Sequence, residues 1–117
     1  MPVRAPHRPL GDLLAIGAGP AIWFVHFSLL YGAETWACAE PAAAQTRMAW
    51  LGMLATAGAL LALVAIVAHL MRKSRSESAA PPPTPFLRSA AVTCGVLAII
   101  AVVWTAFPLW IMRPCMT

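Results

Sequence analysis

Three apolar runs, each long enough to cross a bilayer, take up most of this chain. They read LLAIGAGPAIWFVHFSLLY over 13–31, MAWLGMLATAGALLALVAIVAHLM over 48–71 and AAVTCGVLAIIAVVWTAFPLWIM over 90–112. None contains Asp, Glu, Lys or Arg. In hydrocarbon every backbone N–H and C=O must be bonded within the protein, so segments of this length are helices. The expectation is all-α: a single-domain integral membrane three-helix bundle.

Composition supports that reading and removes others. The chain has 117 residues, of which 61% are hydrophobic and 10% charged. An ordinary soluble domain has about half and about a quarter. The segments left between the runs, 32–47 and 72–89, are too short to bury a core of their own. That excludes a soluble catalytic domain, and no catalytic residue is assigned.

The net charge is +4, but its placement says more than its sum. An odd number of spans puts the amino terminus and the second loop on one side, where Arg4, Arg8, Arg72, Lys73, Arg75 and Arg88 fall. The other side has Arg47 and Arg113. Positive residues stay inside, so the expected orientation is amino terminus in, carboxyl terminus out. The basic run 72–75 reads as a stop-transfer flank facing anionic membrane lipids; no nucleic-acid partner is inferred. The first run outlasts a typical signal-peptide core, so it reads as a retained helix and not a cleaved leader.

Within the first run, Gly17, Gly19 and Pro20 predict a kink, because proline withholds the amide that the carbonyl of Ile16 needs. Pro108 predicts a bend near the end of the third helix. The segment 34–39 is expected to fray, and EPAAAQTR (40–47) to form a short turn between antiparallel helices. In the second helix, Ala55, Ala59 and Ala62, or Gly58, Ala62 and Ala65, could form a seam of small residues; Ala91 and Gly95 could do so in the third. The Pro-rich cytoplasmic loop, about 72–89, cannot form one continuous helix. Tyr31, Trp36, Trp50 and Trp110 collect near one interface as an aromatic belt.

Few residues could carry chemistry. His26 is a polar ring inside an apolar helix, and such residues are usually functional. The other histidines, His7 and His69, lie at the opposite end, roughly 20 Å away along the membrane normal at 1.5 Å per residue. No ligand pair forms within one chain, so no metal and no cofactor is inferred. Too few polar groups accompany His26 for a proton relay. Its reading is a hydrogen-bonded contact, to a neighbouring helix or to a partner subunit, with Trp23, Phe27 and Tyr31 beside it. Cys38 and Cys115 fall just beyond the ends of helices one and three on the same side. A disulfide is favoured there over a copper-binding pair or two free thiols. Cys94 reads as a small buried apolar residue.

The segment GPAIWFVHFSLLYGAETWAC, with WTAFPLWIMRPC much later, resembles small three-helix bacterial membrane proteins encoded beside haem–copper (cytochrome c) oxidases. The matching positions are Gly19, Pro20, Trp23, His26, Phe27, Tyr31, Cys38, Trp104, Pro108 and Cys115. The resemblance covers helices one and three; the second helix and the Pro-rich loop add only general character. It implies a bacterial inner (plasma) membrane, oxidase subunits of the respiratory chain as partners, and a non-catalytic accessory or assembly role. The alternative from the residues is a small homo-oligomeric channel or transporter with His26 facing a pore.

Overall fold

The computed structural model describes residues 9–76, 85–112 and Cys115. It is helical throughout: α1 spans Pro9–Ala37, α2 Pro41–Ser76, α3 Pro85–Ala106, and a single turn, α4, Pro108–Ile111. Three helices are long and apolar enough to cross a membrane. The chain is a multi-pass membrane protein built as a three-helix bundle. Every helix starts on a proline. In the first turn proline is harmless, because the amide it lacks would have no intrahelical partner and its fixed φ already suits the helix.

The helices extend past the apolar runs at nearly every end. The first connection therefore shrinks: the segment expected at 32–47 is reduced to Cys38–Glu40. The expected fraying at 34–39 is also corrected, since α1 stays helical to Ala37, whose side chain is fully buried. Ala37 packs with Ala44 and Met48 of α2, and Ala33 and Leu109 lie against that group. A run of apolar residues measures the hydrocarbon thickness, whereas the helix ends are set by caps, prolines and packing. At the other end α2 carries Lys73 and Arg75 in its last turn, where the helix dipole favours cations. Of the expected Pro-rich loop, 72–76 belong to α2 and 85–89 to α3; residues 77–84 lie outside the described residues, as do Arg4, His7, Arg8 and Arg113.

All three long helices pack against one another. The central cluster joins Ala59 and Leu63 of α2 to Ala98 and Val102 of α3, with Ile22 and Trp23 of α1 packed against it. On α2 the buried positions are Ala44, Met48, Gly52, Ala59 and Leu63. This corrects the expected seam: Ala59 is inside, but Gly58, Ala62 and Ala65 face out. The inward stripe runs through large and small residues alike, so counting small residues alone picked the wrong face.

The two prolines behave differently. Pro20 lies inside an uninterrupted α1. Beside it, Gly19 is buried at the crossing with α3, where an added Cβ would lie 3.0 Å from the carbonyl oxygen of Cys94 and 3.4 Å from the Cα of Gly95. Of the residues read as a weak point, Gly19 is where two backbones touch, while Gly17 and Pro20 are exposed. Pro108 does break its helix, between α3 and α4. The amide of Phe107 donates to the carbonyls of both Val103 (3.2 Å) and Trp104 (3.3 Å). It thereby satisfies the Trp104 carbonyl that proline would leave unpaired.

Candidate functional site

Two places concentrate the polar and aromatic chemistry of the bundle. The first is internal. His26 is only 1% exposed, and its Nε2 lies 3.1 Å from Oγ1 of Thr56 on α2. His26 therefore does not lie on an outer face. Of the group expected at a partner contact, Trp23 is half-buried against the central cluster, while Phe27 and Tyr31 are exposed. The structure divides that group into an internal tie and an external aromatic strip. Its rings follow one another at one-turn spacing: Trp23 stacks on Phe27 with centroids 5.9 Å apart, and Phe27 on Tyr31 at 6.5 Å.

Thr56 carries no sequence signal of its own, but depth relates it to His26. Helices joined by a turn as short as Cys38–Glu40 run back along each other. Counting outward from that turn brings Thr56 to about one helical turn from the level of His26. The pairing leaves Nδ1 of His26 buried without a hydrogen bond, as is Nε1 of Trp23 one turn earlier. Among the described residues, no group of three or more His, Cys, Asp or Glu could hold a metal ion.

The contribution of the His26–Thr56 bond should be modest. In a double-mutant cycle of His26→Leu with Thr56→Val, the expected coupling is about 0.6 kcal/mol, and at most about 1.7. His26→Gln keeps a donor and an acceptor and should retain part of it. Additive single variants would show that the two side chains do not interact.

The second place is a cleft at the disulfide end. Cys38, just after α1, is bonded to Cys115, with Cα atoms 5.6 Å apart. Cys94 is a free, half-buried thiol within α3. Beside the disulfide lies a cavity of about 1050 Å³ that all three long helices border. Phe27, Tyr31 and Glu34 reach it from α1, Gln45 from α2, Trp104 from α3 and Trp110 from α4. Nothing in the sequence marked this cleft, because its walls come from segments up to about eighty residues apart.

Just outside the cleft the charges are already paired. Arg47 forms an ion pair with Glu40 across the start of α2, and its guanidinium lies over the Trp36 ring, 5.0 Å from the centroid. Both contacts fix the tight turn between α1 and α2. They do not reach into the cavity.

No family model, curated protein or solved structure matches this chain.

Proposed function

We propose that this chain is a non-catalytic accessory subunit or assembly factor of a respiratory haem–copper oxidase. It would lie in a bacterial inner membrane with its amino terminus inside and the disulfide end outside. The observation that carries this reading is the closure of His26 on Thr56. The one strongly polar ring at mid-depth ties two helices of the same chain together. A pore would need that ring to face a lumen. What α1 offers outward is an aromatic strip, Phe27 and Tyr31, suited to packing against another membrane helix. The pattern running from Gly19 through Tyr31 to Cys38, closed by Trp104, Pro108 and Cys115, supplies the oxidase context by resemblance.

The test is purification of the tagged full-length protein from native membranes in mild detergent, followed by absorbance spectra and mass spectrometry. A haem-bearing oxidase in stoichiometric amount is the expected result, and Phe27→Ala together with Tyr31→Ala should reduce its recovery. A self-assembled ring without haem would instead establish the channel. Reporter fusions test the orientation: a periplasmic reporter that is active at the amino terminus and silent at the carboxyl terminus would reverse it.

A further inference from the structure

We propose that the cleft beside the Cys38–Cys115 disulfide binds a phospholipid with an amine headgroup. Its ammonium would lie on Glu34 among the rings of Tyr31, Trp104 and Trp110, and its phosphate on Gln45. The cavity, about 1050 Å³, has room for a headgroup and the start of its chains, far more than a single ion needs. It also sits at the right depth. Tyr31 and Trp110 border it, Trp36 is on the adjoining turn of α1, and such aromatic residues mark the headgroup level of a bilayer. A cleft at that depth opens onto the lipid leaflet.

The lining selects among lipids. Glu34 contributes a carboxylate, and among the described residues it has no ion-pair partner. The nearby cation Arg47 is committed to Glu40. A cleft with one carboxylate and several aromatic faces suits a positive group, since ring faces attract cations and the carboxylate supplies the counter-charge. Gln45 adds amide donors that a phosphate oxygen can accept. One turn deeper, Phe27 continues the wall toward hydrocarbon, where an acyl chain belongs. A headgroup with phosphate but no amine would bring its negative charge to Glu34 uncompensated. A neutral quinone ring would leave the carboxylate without a counter-charge.

The experiment uses the isolated full-length chain in detergent, so its outcome does not depend on whether the oxidase partner is correct. Phosphatidylethanolamine and phosphatidylglycerol with identical acyl chains are titrated separately, and bound lipid is counted by native mass spectrometry. Wild type should retain phosphatidylethanolamine roughly threefold to fivefold more tightly, the order expected of a partly exposed charge pair. Glu34→Gln, at an exposed helix position, should bring the two lipids level. Trp110→Leu should weaken phosphatidylethanolamine retention without changing the helix content. Equal retention of both lipids by wild type would mean ordinary annular lipid and overturn the proposal. So would a preference that survives in Glu34→Gln, or a co-purified quinone that phosphatidylethanolamine fails to displace.

Discussion

Replacing Cys115 by Ser should destabilise the bundle by about 2–4 kcal/mol, the range typical of a disulfide closing a long loop. The bond joins residues 77 apart in sequence and so closes most of the chain into one ring. For a freely unfolding chain that separation would favour the top of the range. Helices that stay inserted in a membrane are already confined, which lowers the expected figure. Denaturation by SDS in mixed micelles would measure it. Cys38→Ser should give the same loss, and the double variant no more than either single one, because each removes the same constraint. Thiol labelling of the unfolded protein without reductant should modify Cys94 alone. Labelling at all three cysteines, or an unchanged midpoint in Cys115→Ser, would show that the bond is absent or without effect.

The second large effect is expected from a single methyl group. Gly95→Ala should cost about 1–3 kcal/mol, the usual range for overpacking a tight contact. An added Cβ there would lie 2.6 Å from Cγ2 of Val67. Valine is branched at Cβ and stiff about χ1, so it cannot swing aside. Gly95 also lies at the crossing with Gly19, where the close atoms are backbone and have still less freedom. Gly58→Ala is the control: nothing lies within 4 Å of a Cβ at that position, and alanine favours helix over glycine. It should be neutral or slightly stabilising. If the two alanine variants melt alike, the α2–α3 contact at Gly95 is looser than the structure has it.

How much could be read in advance depended on the kind of constraint. The helical fold class follows from apolar runs and the absence of water, and it needed no long-range information. The link between Cys38 and Cys115 was legible for a related reason: an odd number of spans places both on one side, and a three-helix unit leaves few ways for their helices to stay apart. Helix ends were less legible because hydropathy was used as the ruler. Pro41 and Pro85 were available as start signals and would have moved both boundaries correctly. The facing of α2 was not legible from small residues. Gly58 and Ala62 have the same composition as a packing seam but lie outside, and only the position of α1 and α3 decides that Ala59 and Leu63 lie inside. His26 was found by its polarity, but its role depended on Thr56, an unremarkable residue thirty positions away. The cleft is the extreme case, a shape made by the meeting of four segments with no local mark in any of them.

The contacts between α1 and α3 have a mechanical consequence. The disulfide ties the end of α1 to Cys115, beyond α4, and α1 and α3 touch backbone to backbone at Gly19. Along α1 the two points are separated by roughly 28 Å at 1.5 Å per residue. With a covalent tie at one point and a close backbone contact at the other, α1 and the α3–α4 arm are limited in how far they can splay. The remaining helix is held differently, by the turn at Cys38–Glu40, by side-chain packing and by one polar tie at Thr56. A swing of α2 about the turn that joins it to α1 would have to undo that tie and the close packing of Val67 on Gly95. Gln45, close to that pivot, would travel least, and the far end near Lys73 and Arg75 most.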